Sequence, residues 1–220
     1  MRYFPIFLDL KEKPCVVVGG GRVAERKVRS LLKAGARVRV IGPELTAPLF
    51  RLREKGKIAH LSRPYRRGDL HGAFLVIAAT DDRNANERVS RQAVRNRILV
   101  NVVDDPAYSS FIVPSIIARK ELLVAISTSG RSPALARVLR RKLEKEIGPE
   151  YAFLLKILGT VRKKILALGL GQRKNQRIFR QLVKEDLLGL IKEKKFQELN
   201  RHLKAILGPD FSLKKLDLKR

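Results

Sequence analysis

Three consecutive glycines follow an apolar run near the start of the chain, in the segment 16–27, VVVGGGRVAERK. Bare backbone at the start of a helix can bind phosphate, because no side chain blocks the free N–H groups there. Farther along, Thr80-Asp81-Asp82 and Asp104-Asp105 each follow another apolar run. A carboxylate in such a position can accept a proton from a bound ligand. The sequence therefore offers a phosphate cradle and two acidic clusters.

The glycines have the spacing of the dinucleotide fingerprint G-x-G-x-x-A, with Gly19, Gly21 and Ala24 in the fixed positions. Gly19 permits a tight turn, Gly21 lets the backbone approach a pyrophosphate, and Ala24 lets helix and strand pack closely. The alternative is an ordinary glycine-rich turn. The strand pattern before the loop and the helical pattern after it favour the dinucleotide.

An acidic residue after the second strand bears on the choice of cofactor. Glu44 follows Ala24 by about 20 residues, the offset at which an acid hydrogen-bonds the ribose 2′-hydroxyl of NAD. It lies slightly late, just past Gly42-Pro43. We therefore predict NAD as the cofactor, while Arg22 and Arg37 leave NADP open.

The elements that position these residues alternate between strand and helix. From Cys15 to Val103, short apolar runs are separated by segments with helical periodicity. This alternation predicts an α/β fold of the Rossmann type, with a parallel sheet covered on both faces. The segment 74–79, FLVIAA, is predicted to be a central strand rather than an edge. Ligands of such sheets bind outside the carboxyl ends of the strands, where the candidate residues fall.

The pattern changes in the second half of the chain. The segment 110–128 predicts two antiparallel strands around the polar turn Arg119-Lys120. A helix follows, with Ser132 as its N-cap and Pro133 in its first position. Beyond residue 149 the periodicity predicts helices over 151–169, 177–191 and 196–208. We therefore predict three domains, a Rossmann domain over 1–113, a small α+β unit over 114–148 and a helical unit over 149–220.

The composition is strongly basic, with 48 Lys and Arg against 21 Asp and Glu and a formal net charge of +27. Such a charge suggests a polyanionic partner, either a nucleic acid or a small molecule with many carboxylates. A solvated basic surface is the alternative. No apolar run is long enough to span a membrane and no signal segment is visible, so a cytoplasmic location is expected. Cys15 is the only cysteine and is predicted to be a buried structural thiol.

Five motifs in the same order resemble the siroheme-synthase N-terminal family, which contains precorrin-2 dehydrogenases, some of them also sirohydrochlorin ferrochelatases. The resemblance runs from Tyr3 to Glu144. No methyltransferase region follows, so the chain resembles the stand-alone form of the family and not the fused one. The motifs are PIFLDLKEKPCVVVGGGRVAERKV, VIAATDD, NVVDDP, SFIVPSIIAR and VAISTSGRSPALAR.

The resemblance implies an enzyme that oxidises precorrin-2, a tetrapyrrole with many carboxylates, to sirohydrochlorin with NAD. It also implies a homodimer joined through the central unit, with no nucleic-acid or membrane partner. Ferrous iron is possible as a further substrate, because the family contains members with and without ferrochelatase activity. The histidines His60, His71 and His202 are not paired at ligand spacing, so no standing metal site is expected.

The resemblance assigns the essential aspartate to Asp104, whose alternative role is to cap the turn before Pro106. For Asp105 the turn role is favoured. The candidate cofactor-binding residues, from the glycine loop and the strand ends, are Gly19, Gly20, Gly21, Arg22, Val23, Ala24, Pro43, Glu44, Thr80 and Asp81. The candidate substrate-binding residues are Asn101, Ser127, Thr128, Ser129, Gly130 and Arg131.

The loop 127–133 precedes a helix N-terminus, where free N–H groups and Arg131 could take a substrate carboxylate. A plain capping loop is the alternative, and the basic segments 162–164 and 173–180 could cover the macrocycle or only face solvent. Two other function classes stay open. One is a dinucleotide-sensing regulator whose basic helical tail binds nucleic acid, and the other is a different NAD-dependent dehydrogenase.

Overall fold

The structure is a computed structural model that describes residues 2–218. The chain divides into two compact units, residues 1–113 with Ser129–Arg131, and residues 114–128 with 132–220. The three-domain division predicted from the sequence stays a prediction. The helices and strands of the first unit are β1 Pro14–Val18, α1 Arg22–Lys33, β2 Arg37–Ile41, α2 Ala47–Glu54, β3 Ile58–Leu61, β4 Leu75–Ala78, α3 Arg83–Arg95, β5 Leu99–Val102 and a 3-10 helix Pro106–Tyr108.

The first unit is built on a five-stranded parallel sheet in the order β3-β2-β1-β4-β5. Alternate residues of the strands face opposite sides, because side chains of a strand point up and down in turn. Val17 packs with α1 and α2 on one side, and Val16 and Val18 pack with α3 on the other. β4 is buried along its whole length and lies between two strands, so the prediction that it is not an edge is confirmed.

Cys15 is buried in β1, between β2 and β4. Burial disfavours the charged thiolate and raises the pKa of the Cys15 thiol to about 11. The thiol belongs to the same core cluster as Val28 and Leu31 of α1. The prediction of a buried structural cysteine is therefore confirmed.

The second unit contains the predicted hairpin and helix, followed by more helices. Ser132 caps its first helix, since its side chain accepts a hydrogen bond from the Leu135 N–H at 3.2 Å. The remaining helices share a core of leucine, isoleucine and phenylalanine side chains. The elements are β6 Ser115–Arg119, β7 Leu122–Ile126, α4 Pro133–Glu146, α5 Glu150–Ala167, α6 Gln172–Lys184, α7 Leu187–Lys192 and α8 Phe196–Leu207.

The single helix predicted over 177–191 is wrong. Helix α6 ends before Glu185-Asp186, and a separate helix, α7, begins with Asp186 as its N-cap. The Asp186 carboxylate accepts a hydrogen bond from the Gly189 N–H at 2.8 Å. An aspartate side chain favours such a cap over a helix interior, because it competes with the backbone for hydrogen bonds. The Rossmann-type sheet and the helical C-terminal region are confirmed.

Candidate functional site

Gly19 closes the end of β1 in a conformation that other residues rarely adopt, with φ +117°. Its N–H donates to the Ile41 carbonyl at 2.7 Å. A Cβ at this position would overlap the carbonyl oxygen of Ala79. Both the positive φ and the lack of room for a Cβ therefore favour glycine at the tight turn predicted for Gly19.

Gly20 packs backbone to backbone against the segment between β2 and α2. Its carbonyl accepts a hydrogen bond from the Thr46 N–H at 3.0 Å. A Cβ here would overlap the carbonyl oxygen of Glu44. Pro43 and Glu44 are exposed. Because of this packing, Glu44 lies beside the glycine loop, where an acidic side chain can hydrogen-bond the ribose of the cofactor.

Gly21 differs from its two neighbours, since a Cβ here would meet nothing within 4 Å. It is exposed and forms the N-cap of α1 without a side-chain hydrogen bond. The first hydrogen bond of the helix joins the Glu25 N–H to the Gly21 carbonyl at 2.9 Å. The N–H groups of Arg22, Val23 and Ala24 lie before it, where a helix has no internal acceptors. Open space over free amides fits a pyrophosphate.

A polar cluster of Glu25, Arg29 and Thr46 stabilises the glycine loop. Glu25 accepts a hydrogen bond from the Thr46 hydroxyl at 2.8 Å and pairs with Arg29 at 2.9 Å. The hydrogen bond from Thr46, followed by the one from Arg29, lowers the pKa of the Glu25 carboxyl. Thr46 also caps α2. These contacts fix the distance between the starts of α1 and α2.

Arg37 does not reach this edge of the sheet. It is the first residue of β2, opposite Pro14, and its Nε donates to the Glu12 carbonyl at 3.0 Å. The amino end of β2 is the wrong end for a ligand of a parallel sheet. Of the two arginines named as possible NADP contacts, only Arg22 lies at the glycine loop.

The loop after β4 is fixed by a side chain that the sequence analysis missed. Asn86 is only 8% exposed, and its side chain both donates to the Thr80 carbonyl and accepts from the Thr80 hydroxyl, each at 2.9 Å. Asp82 caps α3 through the Ala85 N–H at 3.0 Å. Asp81 is exposed and stands next to these fixed residues. In the sequence, the only sign of this role is that Asn86 is a polar residue on a buried face of its helix.

The end of β5 is fixed in a similar way. Asn101 is buried and donates from Nδ2 to the Phe111 carbonyl at 3.1 Å. The hydroxyls of Ser109 and Ser110 accept hydrogen bonds from the Val102 and Val100 N–H groups, each at 2.9 Å. β5 is an edge strand, so these serines satisfy backbone groups that no strand pairs with. A substrate contact by Asn101 stays a prediction.

Asp104 and Asp105 have different environments. Asp105 accepts a hydrogen bond from the Ala107 N–H at 3.2 Å and caps the 3-10 helix, as expected for a turn residue. Asp104 is exposed and left-handed, with φ +59°, a conformation that aspartate tolerates better than most residues. Within residues 2–218 its carboxylate accepts no hydrogen bond and forms no ion pair. It is therefore available to a ligand at the carboxyl edge.

The loop 127–133 is held together by Thr128. The Thr128 hydroxyl donates to the Ser132 carbonyl at 3.0 Å and accepts from the Ser132 N–H at 3.1 Å. Ser129 and Gly130 are both left-handed, with φ +54° and +83°. Arg131 is exposed, and its guanidinium has no ion-pair partner among the described residues. The loop is a helix cap, and its substrate-binding role stays a prediction.

The histidines do not gather around one point. His60 Nε2 lies 2.8 Å from the Gly42 carbonyl on the edge strand β3, and His71 is exposed. His202 Nδ1 lies 2.9 Å from the Glu185 carboxylate. The part of the chain that the structure describes has no group of three or more His, Cys, Asp or Glu side chains that could hold a metal ion. No helix among residues 2–218 is long and apolar enough to cross a membrane.

Comparison with known families agrees with this geometry. Residues 6–115 match a family described as NAD(P)-binding, and residues 119–146 match the central region of sirohaem biosynthesis proteins. The parallel sheet and the glycine loop thus define an NAD(P)-binding protein of the Rossmann type. The chain belongs to the siroheme-synthase N-terminal family, so the resemblance seen in the sequence motifs is confirmed.

Individual relatives carry related names. The chain is 44% identical over 189 residues to Siroheme synthase 3 of Aeromonas hydrophila, and 41% identical over 211 residues to the siroheme synthase of Actinobacillus succinogenes. These matches cover 86% and 96% of the chain but only 40% and 44% of those relatives. The solved structure of SirC, precorrin-2 dehydrogenase, is similar with a TM-score of 0.80 and 25% identity, over 93% of this chain and 98% of that one.

Proposed function

We propose that this chain is an NAD-dependent dehydrogenase that oxidises precorrin-2 to sirohydrochlorin in siroheme biosynthesis. The observation that carries the proposal is the likeness to a precorrin-2 dehydrogenase over nearly the full length of both chains. The chain spans less than half of the siroheme synthases it matches, so it corresponds to only a part of their length. The dehydrogenase is favoured over the nucleic-acid-binding regulator, because the relatives and the structural neighbour all carry names from the siroheme pathway.

The glycine loop is the site that we assign to NAD. Gly19 and Gly20 leave room for the crossing backbones, and Gly21 faces open space in front of the free amides of α1. The exposed Glu44 beside this loop favours a ribose 2′-hydroxyl and repels a 2′-phosphate. Thr80 and Asp81 would flank the cofactor from the end of β4. NAD, when bound, supplies the hydride acceptor.

Asp104 is the residue that we assign to proton removal. Oxidation of the macrocycle releases a hydride and a proton, and the proton needs an acceptor in position. The Asp104 carboxylate is exposed and unengaged among residues 2–218, whereas the Asp105 carboxylate caps a helix. A carboxylate without structural duties can take up the proton and later release it to water. Asp104 is therefore the base in the proposed reaction.

The basic surface suits a substrate with many carboxylates. The chain carries a formal net charge of +27, which raises the local concentration of an anionic macrocycle. We assign one carboxylate contact to Arg131, whose guanidinium is exposed on the loop of Ser127–Gly130. A guanidinium binds a carboxylate in two parallel hydrogen bonds. Ferrous iron as a second substrate stays a prediction.

Anaerobic incubation of the full chain with precorrin-2 and NAD tests the proposal. NADH and the absorbance spectrum of sirohydrochlorin should appear together and in equal amounts. NAD without precorrin-2, and precorrin-2 without NAD, are the controls and should show neither change. The proposal is wrong if the wild-type chain binds NAD but leaves precorrin-2 unchanged. Ferrous iron added afterwards measures any chelatase reaction separately.

We also propose that the protein is a homodimer joined through the hairpin of β6 and β7. α4 packs against one face of this hairpin, where Ile117 is buried. The opposite face is apolar and exposed, and consists of the cross-strand pairs Ile116–Ala125 and Ala118–Leu123. An isolated two-stranded sheet with one bare apolar face is only marginally stable in water. A second copy of the same face would cover it with twofold symmetry.

Leu123→Asp is expected to convert the dimer to a monomer. Leu123 is 47% exposed in the single chain and would be covered in the dimer, where an unpaired carboxylate is strongly unfavourable. Sedimentation velocity measures the change. Val183→Asp is the matched control, because Val183 on α6 is 72% exposed and lies outside the hairpin. A monomeric wild-type protein, or a Leu123→Asp variant that stays dimeric, would contradict the proposal.

A further inference from the structure

Thr46 joins three elements of the first unit. Its N–H donates to the Gly20 carbonyl of the glycine loop at 3.0 Å. Its hydroxyl donates to the Glu25 carboxylate of α1 at 2.8 Å and accepts from the Leu49 N–H of α2 at 3.4 Å. The backbone and the side chain of one residue therefore connect the glycine loop to the first turns of both α1 and α2.

The Glu25 carboxylate has a donor at each of its two oxygens. Oε2 accepts from the Thr46 hydroxyl, and Oε1 accepts from Arg29 Nε at 2.9 Å, one helical turn farther along α1. The Glu25 side chain is only 19% exposed. A hydrogen bond to an ionised acceptor is stronger than one between neutral groups. The carboxylate is therefore held in one orientation, and it holds the Thr46 side chain in turn.

The segments that Thr46 joins carry the two contacts assigned to NAD. Gly20 leads into Gly21 and the free amides of α1, which are assigned to the pyrophosphate. Glu44 lies two residues before Thr46 and is assigned to the ribose. The Glu44 backbone packs directly on Gly20, where a Cβ would overlap the Glu44 carbonyl oxygen. Since ribose and pyrophosphate belong to one molecule, both contacts can form together only at the right spacing of the two segments.

We propose that Thr46 and Glu25 are positioning residues for NAD, and that the hydrogen bond between them sets the spacing of the glycine loop and Glu44. This inference rests on the proposed function, in which NAD binds at this loop. Thr46 acts through its N–H on the Gly20 carbonyl, and Glu25 acts through Thr46. Without their hydrogen bond, fewer molecules would hold the spacing that the cofactor needs. The apparent Kd of a ligand rises as the fraction of binding-competent molecules falls.

α3 offers a closely matched carboxylate as a control. Glu87 accepts a hydrogen bond from the Tyr108 hydroxyl at 3.0 Å and pairs with Arg91 one helical turn farther along. In Glu87 as in Glu25, the hydroxyl donor from another element is the main cause that lowers the pKa of the carboxyl. α3 packs on the opposite face of the sheet from α1. A substitution of Glu87 therefore removes the same kind of contact on the other face.

The experiment measures NADH affinity by fluorescence titration of the full chain, without precorrin-2, beside thermal unfolding. Thr46→Val removes the hydroxyl at nearly constant shape, and Thr46→Ser keeps a hydroxyl. Glu25→Met removes the carboxylate and leaves Thr46 in place as the cap of α2, so it stays informative if loss of the cap unfolds Thr46→Val. Glu25→Gln keeps an oxygen that can accept the hydrogen bond. Glu87→Met is the control.

Thr46→Val and Glu25→Met are each expected to weaken NADH binding about fivefold to tenfold, the effect of a competent fraction reduced to about a tenth or a fifth. Thr46→Ser and Glu25→Gln should bind NADH within about twofold of the wild type. Glu87→Met should unfold at a lower temperature and bind NADH like the wild type. Because Thr46 and Glu25 act through one hydrogen bond, the double variant should bind NADH no more weakly than the weaker single variant.

Turnover with NAD and precorrin-2 gives a second readout. The KM for NAD should rise in Thr46→Val and Glu25→Met by the same factor as the Kd of NADH. kcat should stay within about twofold of the wild type, because saturating NAD shifts the molecules back to the competent spacing. A loss of kcat at unchanged KM would contradict a positioning role toward NAD.

A purely structural role would lower the unfolding temperature of Thr46→Val and Glu25→Met and leave their NADH affinity unchanged, and that result would overturn the inference. So would a double variant whose loss of affinity is the product of the two single losses, or a Glu87→Met variant that loses as much affinity as Glu25→Met. A wild-type chain that binds NADH but leaves precorrin-2 unchanged refutes only the proposed reaction, because the affinity measurement needs no precorrin-2.

Discussion

Replacing Asp104 by asparagine is expected to reduce precorrin-2 oxidation by about a hundredfold to ten-thousandfold, the usual contribution of a positioned base. Asparagine has nearly the same shape and also tolerates the left-handed conformation found at this residue, with φ +59°. Alanine should abolish or cripple the reaction as well, but it would add backbone strain. Since the carboxylate has no hydrogen bond or ion pair among residues 2–218, the fold and the NAD affinity should be unchanged.

The measurement is single-turnover oxidation of precorrin-2 under anaerobic conditions, beside a titration with NADH. Asp105→Asn is the matched control, because Asp105 is the adjacent acid, caps the 3-10 helix through Ala107 and pairs with Arg83 at 3.9 Å. Asparagine keeps the capping oxygen, so that control should stay close to the wild type in stability and within a few-fold of it in turnover. Wild-type-like turnover by Asp104→Asn would refute the assignment of the base.

Replacing Gly21 by valine is expected to weaken NAD binding about a hundredfold without unfolding the protein. A Cβ at Gly21 meets nothing within 4 Å, and the backbone there is extended, so the larger side chain fits the folded chain. The same side chain would occupy the space in front of the α1 amides. Loss of two hydrogen bonds to a charged pyrophosphate accounts for an effect of this size.

Gly20 provides the contrasting variant. A Cβ there would overlap the Glu44 carbonyl, so Gly20→Ala should lower the thermal unfolding temperature as well as the NAD affinity. Isothermal titration with NADH and thermal unfolding separate the two effects. If Gly21→Val bound NADH like the wild type while remaining folded, the dinucleotide would not lie on this loop.

Most of the first unit could be predicted because its signals are local. Continuous apolar runs mark the parallel strands, and the glycines mark the turn after β1 by type and spacing. The Ser132-Pro133 start of α4 follows from capping chemistry in the same way. The break at Asp186 was missed because the apolar periodicity of α6 continues into α7 across it.

The details of the site depend on contacts that sequence spacing does not contain. Asp104 and Asp105 are adjacent acids, and only the left-handed backbone of the first and the 3-10 helix after the second separate their roles. The contact of Asn86 with Thr80 joins a helix to a loop. Tertiary packing decides such pairs.

The labelling rate of the single cysteine would report how often the sheet opens. Cys15 is buried in the central strand, and its raised pKa of about 11 leaves almost no thiolate at neutral pH. A thiol-modifying reagent can therefore label it only when β1 separates transiently from its neighbours. Since β1 runs directly into the glycine loop, a dinucleotide that favours the closed sheet should slow this labelling. The rate would report ligand occupancy in a chain that is not turning over any substrate.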